Sequence, residues 1–387
     1  MAGLYFHIPF CKRACTYCDF HFSTTLDRIE AMSQALRTEL MRRIHELRGE
    51  AVRTIYFGGG TPSLLPPRDL SGILNDLRKQ AHVSDGAEVT MEVNPDDVSK
   101  EAITSWKRIG ITRLSIGIQS FNDERLRFMG RAHDAQQSVR SLELISAAGF
   151  GSWTMDLIYG LPGMTEAEWT SQVEQALSFN PPHISAYCLT VEARTALHKQ
   201  VERGEVIAAP DEDQARQFEL LGERLEAAGY VHYEISNYGK PDHFSRHNTS
   251  YWQGVPYIGV GPSAHSFDGT VRRWNIANNN RYINAVNSGG IYWEEERPTV
   301  QQRTNERIMT GLRTMWGVDL AQLEGLTSTT DRTIDGYAAS GHLMRTGNRI
   351  VLTSAGKLLA DRIASDLFLT PPAEPEPGSP TRRDANT

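Results

Sequence analysis

The sequence predicts an α/β fold in which parallel strands form a partial (β/α)6 barrel. Between residue 3 and about residue 235, short apolar runs alternate six times with stretches of helical periodicity. Such alternation is typical of parallel strands joined by right-handed crossover helices, and six units are two short of a closed eight-fold barrel. Polar residues also recur where successive strands end, which is the edge at which α/β barrels bind their ligands.

Each predicted strand is a short apolar run. Between the first two strands, apolar residues from Ile29 to Leu47 recur every three or four positions and predict an amphipathic helix. The same spacing recurs at Trp169, Val173 and Leu177, before the last strand. The predicted strands are residues 4–8, 54–58, 88–93, 113–118, 154–159 and 184–189.

The barrel core is expected to span residues 1–235. Residues 236–298 are rich in Asn, Tyr, Trp and Gly and are expected to form irregular structure that covers the barrel mouth. Residues 299–369 predict a small winged-helix-like domain. It comprises helices at 302–315 and 331–340, a hairpin of 342–345 with 349–353, and a final helix with Ser354 as N-cap. The proline-rich tail, residues 370–387, is expected to be disordered.

The composition limits the classes of function that the chain can have. It has 387 residues, 40% of them hydrophobic and 22% charged, as expected of a soluble globular protein. A net charge of −7 without a run of Lys or Arg argues against nucleic-acid binding, so a packing or partner role is favoured for the winged-helix-like domain. No apolar run approaches the roughly 18 residues of a membrane span and no signal peptide is evident, so a cytoplasmic location is expected.

Three of the four cysteines, Cys11, Cys15 and Cys18, are spaced Cys-x3-Cys-x2-Cys. Three thiolates this close can reach one soft metal centre, either zinc or an iron–sulfur cluster. A closed zinc site needs a fourth ligand that the neighbouring sequence lacks, whereas a cubane held by three cysteines leaves one iron open. Buried core cysteines, or zinc completed by a distant histidine, are the alternatives. Cys188 lies in an apolar strand and is expected to be a core residue.

Polar residues follow the other strands at the same edge. Gly58-Gly-Gly-Thr-Pro62 comes directly after the second strand, and its glycines let the backbone approach a ligand closely. The motif lacks the Lys-Ser/Thr of a phosphate-binding loop, which argues against a nucleoside triphosphate. Glu92, Gln119, Asp156 and Thr190 lie at or just past the ends of later strands. Each alone is explained as an ordinary polar residue, but together they predict a site on the side of the cysteines.

A second informative stretch is Arg246-His-Asn-Thr-Ser-Tyr-Trp252. His247 and Tyr251 are four residues apart, so a helical turn would place them on one face with Trp252 beside them. Heme needs an axial ligand, most often histidine, and a flat aromatic surface. From the spacing alone, a capped turn with core aromatics is nevertheless the favoured explanation.

The cysteine motif, with Tyr17 before its last cysteine, resembles the cluster loop of the radical S-adenosylmethionine (SAM) enzymes. The lead-in Tyr5-x-His-Ile-Pro-Phe-Cys11 is similar to the branch that contains the coproporphyrinogen dehydrogenases (HemN) and the heme chaperones (HemW). The resemblance implies a [4Fe-4S] cluster on the three cysteines, with SAM on the open iron. It also implies SAM contacts at the matching positions, which are Tyr5, Tyr17, Gly59, Gly60, Thr61, Glu92, Gln119, Arg131, Asp156, Thr190 and His265.

Three features separate the two kinds of protein in this branch. His-Asn-x-x-Tyr-Trp is similar to the heme-binding motif of the chaperones and implies heme contacts from His247, Asn248, Tyr251 and Trp252. The dehydrogenases carry a further cysteine where this chain has Phe20. They also have an N-terminal extension, whereas this chain starts almost directly at the cluster strand. The resemblance therefore implies a protein that binds heme and delivers it to an acceptor protein.

Several alternatives stay open at this point. An oxygen-independent coproporphyrinogen III dehydrogenase is the alternative function, and a zinc-bearing scaffold without redox chemistry is a third. The sequence does not name the heme acceptor, for which a membrane-bound respiratory protein is one candidate. A homodimer is compatible with the sequence. Neither the mode of heme attachment nor cleavage of SAM follows from it.

Overall fold

The computed structural model describes residues 2–369, which form two compact units. The first unit consists of residues 2–297 together with Arg313–Trp316, and the second of Pro298–Leu312 and residues 317–369. The tail for which disorder is predicted, residues 370–387, lies outside the described residues. No helix of residues 2–369 combines the length and the apolar character that a membrane span requires.

Six parallel strands occupy the middle of a twelve-stranded sheet in the first unit, as predicted for a partial barrel. They are hydrogen-bonded to one another in chain order, and each contains or overlaps a predicted strand. The strands are β1 Ala2–Ile8, β2 Val52–Gly59, β3 Val83–Val93, β4 Arg113–Gln119, β5 Ser152–Tyr159 and β6 His183–Cys188.

Helices connect these strands, and local sequence signals fix where several of them begin. The Ser99 side chain accepts the N–H of Ala102, and Asp134 forms a capping box with Gln137. The apolar stripe predicted after the first strand is a helix whose Leu36 is fully buried. The helices are α1 Ile29–Arg43, α2 Pro67–Gln80, α3 Lys100–Ile109, α4 Asp123–Phe128, α5 Ala135–Ala147, α6 Glu166–Ser178, α7 Ala196–Glu202 and α8 Asp211–Ala227, with 3-10 turns at Ile44–Leu47, Pro62–Leu64 and Pro95–Asp97.

Side-chain alternation along the strands separates an apolar face from a polar one. On β1, Leu4 and Phe6 are fully buried in the hydrophobic core, whereas the Tyr5 side chain lies on the opposite face. The ring of Tyr56 stacks on that of Tyr5 with centroids 6.1 Å apart, and its hydroxyl donates to Glu92 Oε1 at 2.8 Å. The inner face of the barrel is therefore lined with hydrogen-bonding groups.

The prediction of irregular structure over residues 236–298 is wrong, because this region adds strands to both edges of the sheet. The strands are only three or four residues long, too short for an alternating pattern to show in the sequence. The sheet also crosses the predicted boundary at residue 235, which falls within a β-hairpin. The added elements are β7 Val231–Glu234, β8 Asn237–Gly239, α9 Arg246–Trp252, β9 Tyr257–Val260, β10 His265–Phe267, β11 Arg272–Asn275, α10 Asn279–Ser288 and β12 Trp293–Glu296, in the sheet order β12-β11-β10-β9-β1 through β6-β8-β7.

A buried polar network fixes this added sheet to α1. Glu39 is 0% exposed and accepts hydrogen bonds from Arg43 Nη1 at 3.0 Å, Asn275 Nδ2 at 2.8 Å and the Tyr282 hydroxyl at 2.5 Å. The backbone N–H of Gly261 donates to its second oxygen at 2.8 Å. A buried carboxylate is tolerated only with such partners. The added strands are therefore an anchored part of the first unit.

The second unit has the predicted order of two helices, a hairpin and further helix. Its first helix ends at Leu312 rather than at residue 315, because Arg313–Trp316 belongs to the first unit. The predicted N-cap Ser354 is also wrong, since the hydroxyl of Thr353 accepts the N–H of Gly356 at 3.1 Å. The winged-helix likeness itself stays a prediction. The elements are α11 Val300–Leu312, β13 Val318–Asp319, α12 Ser328–Ala339, β14 Leu343–Thr346, β15 Arg349–Leu352, α13 Ser354–Lys357 and α14 Ala360–Asp366, with a 3-10 turn at Leu320–Gln322.

Candidate cofactor site at the carboxyl edge of the barrel strands

The three clustered cysteines lie in the long loop between β1 and α1, at the carboxyl end of β1. Backbone hydrogen bonds close this loop, from the N–H of Cys11 to the carbonyl of Ser23 at 3.0 Å and from the N–H of Ser23 to the carbonyl of Pro9 at 2.8 Å. The N–H of Thr16 donates to the carbonyl of Met129 at 3.0 Å, which ties the loop to the end of α4. The thiols are thereby presented at the edge where α/β barrels bind ligands.

The thiols are free and partly buried. Burial raises the pKa of Cys18 to about 11, and the neighbouring thiols add to the shift, so the free Cys18 thiol is protonated near neutral pH. Among residues 2–369, no three His, Cys, Asp or Glu side chains converge closely enough to bind a single metal ion. A cubane cluster needs a wider arrangement, because its cysteines bind separate irons.

Gly59 and Gly60 lie against the cluster loop. The N–H of Gly60 donates to the carbonyl of Ile8 at 2.9 Å, and the N–H of Thr61 donates to that of Phe10 at 2.6 Å. A Cβ on Gly60 would lie 2.6 Å from the Phe10 carbonyl oxygen and 2.7 Å from that of Ile8. Gly59 has a φ of +104°, which favours glycine. The turn predicted as a ligand contact therefore requires glycine for its approach to the cluster loop.

Arg131 links the cluster loop to the strand ends. Its Nη1 lies 3.5 Å from Cys15 Sγ, and its Nη2 donates to Asn94 Oδ1 at 2.6 Å and to the carbonyl of Gly117 at 2.8 Å. Burial raises the pKa of Tyr17 despite the opposing charge of Arg131. Arg131 is therefore bonded within the site and is not a solvated surface charge. Its charge faces the cluster thiols, where it favours thiolates.

Two carboxyl groups face the inside of the barrel. Glu92 accepts from the N–H of Gly59 at 3.1 Å as well as from Tyr56, and burial raises its pKa to about 7. Asp156 accepts from Ser115 Oγ at 3.0 Å, and burial raises its pKa to about 6. The charge of Asp156 also contributes to the raised pKa of Glu92. A cationic ligand between them would restore the ionised forms of both.

Gln119 is strained and incompletely bonded. Its φ is +64°, in the left-handed region that residues other than glycine seldom adopt. It also follows an irregularity in the β4–β5 pairing. Its buried Oε1 has no hydrogen-bond partner among residues 2–369, and neither has the buried Nε of Arg131. Unpartnered buried groups and strain are typical of ligand sites.

Of the remaining predicted SAM contacts, Tyr5 lies inside the barrel, whereas Thr190 and His265 lie at its margin. Tyr5 lies within the barrel, and its hydroxyl is 3.1 Å from His7 Nδ1. Thr190 is exposed and bonds only within its own loop among the described residues, through Oγ1 to the carbonyl of Cys188 at 3.4 Å. His265 is exposed at the start of β10, near His7. The structure therefore brings most of the predicted residues together but leaves these two at the margin.

Sequence reasoning missed Tyr56, Asn94 and Ser115, which bind the predicted residues directly. Tyr56 and Ser115 lie on the inner face of the strands, an even number of residues from Gly58 and Gln119. The two-residue strand period was the signal that could have found them. Asn94 directly follows β3 and also donates to Thr61 Oγ1 at 3.1 Å.

The predicted heme residues lie at the other end of the strands. The expected helical turn is present as α9, and Tyr251 lies on the same face as His247, with its hydroxyl 2.7 Å from His247 Nε2. His247 Nδ1 lies 2.9 Å from Thr54 Oγ1, and the side chain of Glu88 accepts the N–H of His247 at 3.0 Å. Thr54 lies in the amino half of β2 and Glu88 at the middle of β3, so α9 does not lie at the mouth. Asn279 of α10, in contrast, lies 2.8 Å from His21 of the cluster loop, and coverage of the mouth by the rest of residues 236–298 stays a prediction.

His247 is buried, with 1% of its surface exposed. Its ring stacks on that of Tyr56, with centroids 5.1 Å apart, and burial lowers its pKa to about 3. Asn248 and Trp252 are half-buried, and the guanidinium of Arg313 lies 5.7 Å from the Trp252 ring centroid. The imidazole is therefore neutral, as an iron ligand must be, but both of its nitrogens already have partners.

Comparison with known proteins decides the family. Residues 5–174 match the model of the Radical SAM superfamily. The chain is 36% identical over 373 residues to the heme chaperone HemW of Mycobacterium tuberculosis, covering 95% of this chain and 94% of that protein. It belongs to the HemW family. The HemW proteins of Bacillus subtilis, at 32% identity, and Escherichia coli, at 33% identity, match 94% and 95% of this chain and 98% of their own lengths.

A solved structure confirms the fold of this HemW-family chain. Coproporphyrinogen III oxidase (HemN) from Escherichia coli, a radical SAM enzyme, superposes with a TM-score of 0.82 over 95% of this chain and 90% of that one. The sequences are 23% identical, so this similarity shows the fold alone.

Membership of the radical SAM superfamily gives this HemW-family chain a [4Fe-4S] cluster and SAM as cofactors. The described residues fit both groups. Three cysteines supply thiolates and leave one iron open. The glycine turn lets the backbone approach the ligand closely, and the carboxylates can accept hydrogen bonds from its cationic groups. Gln119 Oε1, which has no partner among the described residues, can accept a further hydrogen bond from the ligand.

Proposed function

We propose that this chain is a heme chaperone, which binds heme and passes it to an acceptor protein. The observation that carries the proposal is its similarity to HemW proteins over almost their whole length. The identity of Phe20 supports it. HemN-type dehydrogenases are expected to carry a further cysteine at this position, whereas this chain has a phenylalanine that is 71% exposed.

At the carboxyl edge, Cys11, Cys15 and Cys18 hold the cluster. Thr61 and Glu92 are assigned to SAM together with the other predicted contacts. When bound, the cluster and SAM supply one-electron chemistry. The protein itself positions the thiolates, keeps the charge of Arg131 beside Cys15, and offers Glu92 to a cationic group of the ligand.

At the amino edge, heme is assigned to His247, Asn248, Tyr251 and Trp252. Ligation of iron by His247 requires α9 to shift, because an imidazole bonded to Thr54 and Tyr251 has no free nitrogen. In this proposal, binding exchanges one of those two hydrogen bonds for the iron bond, and the other can remain at the second nitrogen. The cofactors at the opposite edge control transfer of the heme rather than turnover of a porphyrinogen.

The partners and location follow from this role. The heme acceptor is a protein in contact with the cytoplasm, and a membrane-bound respiratory protein is one candidate. A homodimer is compatible with the chain. The cytoplasm is the proposed location, because its reducing conditions preserve the cysteines as ligands.

Hemin titration of the wild type and His247→Gln tests the proposal. Glutamine keeps a donor and an acceptor for Thr54 and Tyr251 but is a poor iron ligand, so we expect an altered Soret band and at least about tenfold weaker binding. His82→Gln, at an exposed histidine, is the matched control. Titrations with and without cluster and SAM separate binding from its control. A wild type that does not bind hemin would contradict the proposal.

The dehydrogenase alternative has its own test. Anaerobic incubation of the cluster-loaded protein with coproporphyrinogen III, SAM and a reductant should give no protoporphyrinogen. Formation of that product would favour the alternative, which the similarity in fold to HemN does not by itself support.

A further inference from the structure

A row of polar residues crosses the inner face of the barrel where β4 and β5 begin. Tyr56, Thr90, Arg113 and Ser152 are directly paired in register across β2, β3, β4 and β5. Side chains of residues paired in register lie on the same face of a sheet. Since Tyr56 faces the inside of the barrel, where it bonds Glu92, the other members of this interior row face the inside as well.

Three members of the interior row have buried polar atoms without a hydrogen-bond partner among residues 2–369. These atoms are Thr90 Oγ1, Ser152 Oγ, and the Nε and Nη2 of Arg113. Thr90 is 0% exposed and Arg113 2% exposed. Most buried polar atoms of a folded protein have a partner, so four such atoms on three adjacent residues point to a ligand group that completes them.

The donors of the interior row suit a carboxylate. The Nε and Nη2 of a guanidinium lie along one edge of the group and direct their N–H bonds the same way. The two oxygens of a carboxylate can therefore accept both hydrogen bonds in parallel. Thr90 and Ser152 lie on either side of Arg113, and their hydroxyls can donate to the same two oxygens.

No carboxylate of the described chain is bonded to Arg113, which has no ion pair within 4 Å among residues 2–369. Glu88, two residues before Thr90 on the same face of β3, instead accepts the N–H of His247 at 3.0 Å. Asp156 accepts from Ser115 Oγ at 3.0 Å. A buried cation without a bonded partner is costly, so the missing acceptor is expected to come from a ligand.

The interior row begins beside the predicted heme ligand. The ring of Tyr56 stacks on that of His247 with centroids 5.1 Å apart. Burial lowers the pKa of His247, and the positive charge of Arg113 adds to the shift. Neighbouring strands lie about 4.8 Å apart, so the two strand steps from Tyr56 to Arg113 cover about 10 Å. That span is comparable with the separation between the iron of a heme and its propionate groups.

We propose that the interior row binds a propionate of the heme, with the carboxylate on the Nε and Nη2 of Arg113 and on the hydroxyls of Thr90 and Ser152. The inference rests on the proposed function, since it names the groups that hold a carboxylate of the heme in that function. The shift of α9 that frees His247 for the iron also opens the space that the propionate enters. Release of the heme leaves the guanidinium unpaired again.

The stability of the heme-free protein separates a ligand site from a structural role of Arg113. Arg113→Met should raise the midpoint of urea unfolding, because the variant no longer buries an unpaired charge. Arg108→Met, at an exposed arginine of α3, is the matched control and should leave the midpoint nearly unchanged. A lower midpoint in Arg113→Met, or failure of that variant to fold, would show that the guanidinium supports the fold and would overturn the inference.

Hemin and hemin dimethyl ester, in which both propionates are esterified, are the binding probes for the cluster-loaded full chain. The wild type should bind hemin at least about tenfold more tightly than the ester, as expected of a charge-assisted hydrogen-bonded pair. Arg113→Met should lose this preference and keep the Soret band of the wild type. Thr90→Val should reduce the preference, and Arg108→Met should retain it in full.

The outcomes separate this inference from the proposed function. If Arg113→Met keeps the preference for hemin while His247→Gln loses hemin, the propionate is bound elsewhere and the chaperone proposal stands. If the wild type binds hemin and its ester equally, the assignment to heme is overturned, and stabilisation by added acetate would then assign the row to a free carboxylate. If the wild type binds neither porphyrin, both proposals fail. Loss of the preference in Arg113→Met, together with a raised unfolding midpoint, supports the propionate site.

Discussion

The two edges of the barrel differ in how completely their polar groups are bonded. At the carboxyl edge, Gln119 has a left-handed backbone, and its buried Oε1 and the buried Nε of Arg131 have no hydrogen-bond partner in the described part of the chain. Around α9, both nitrogens of His247 have partners, and the helix begins with a side-chain cap from Ser245. The first arrangement is completed by adding a ligand, whereas the second must be taken apart before a ligand can bind. The same barrel therefore has one site that can accept its cofactor directly and a histidine, His247, that can bind a ligand only after a hydrogen bond is broken.

Removing a cluster ligand should have the largest effect and should be confined to the carboxyl edge. Cys15→Ser is expected to abolish the broad iron–sulfur absorbance near about 400 nm, because two cysteines cannot retain the cluster. Cys188→Ser is the control, since that thiol bonds Gln214 away from the loop and should not affect iron content. Iron and sulfide analysis measures both. A fully loaded Cys15→Ser protein would contradict the assignment.

Filling the space at the glycine turn should be nearly as damaging. The Cβ of Gly60→Ala would overlap the backbone carbonyls of Ile8 and Phe10, which are unable to rotate away. We expect a loss of about 1–3 kcal/mol in the free energy of unfolding and reduced cluster loading. Gly151→Ala is the matched control, because no described residue other than its two chain neighbours comes within 4 Å of the added Cβ. Denaturant unfolding and iron content are the measurements, and equal behaviour of the two variants would contradict the close approach.

SAM binding should depend on pH, because the carboxyl groups of Glu92 and Asp156 lose their protons near neutral pH. Because the pKa of Glu92 is about 7, its proton is retained until well above the ordinary value of 4.5. Protonation removes the charge that attracts the cationic ligand, so affinity should fall about tenfold from pH 8 to pH 6. Glu92→Gln should bind weakly with a much flatter profile, apart from the smaller titration of Asp156 near 6. Calorimetric titration at three pH values measures this.

In the protein without SAM, the pH dependence that Glu92 gives to folding stability has the opposite sign to the pH dependence of SAM affinity. The folded state holds the Glu92 proton more tightly than the unfolded chain does. Its contribution to stability is therefore fully present below about pH 4.5 and is lost as the pH rises to about 7. Glu92→Gln should remove that part of the dependence in unfolding experiments across this range. A wild-type slope that Glu92→Gln leaves unchanged would place the titrating group elsewhere.

The smallest effect is expected at α9. Tyr251→Phe removes the hydroxyl that lies 2.7 Å from His247 Nε2 and should cost about 1 kcal/mol of stability. SAM affinity and cluster content should not change, because the helix lies at the other edge. Tyr337→Phe in the second unit, which loses a hydrogen bond to Asp366, is a matched control for the loss of one hydroxyl. A fall in SAM affinity in Tyr251→Phe alone would show that the two edges are coupled without heme.

Much of the barrel could be predicted because its signals are local. The six parallel strands are long enough to show as apolar runs, and the cysteine spacing and Gly58–Pro62 turn are contiguous in the sequence. Gln119 was found because it ends β4. Asp156 was expected at a strand end but lies inside β5, where it faces the interior of the barrel. The short strands of residues 236–298 gave no periodic signal, so their addition to the sheet was missed.

Other features depend on contacts between distant residues. The helical turn of α9 follows from the spacing of His247 and Tyr251, but its burial depends on Thr54 and Glu88, which are more than 150 residues away. A cavity lined by Arg43, Ser266 and Arg273, among others, likewise combines the end of α1 with strands far along the chain. Spacing within one motif carries no information about such partners.

The most direct test of the division between the two edges is a hemin titration of SAM-saturated, cluster-loaded protein that follows the Soret band, cluster absorbance and bound SAM together. The account predicts that one hemin binds per chain while the cluster and SAM stay bound. Displacement of SAM or bleaching of the cluster in proportion to the hemin added would contradict it, because heme and cofactor would then occupy the same site.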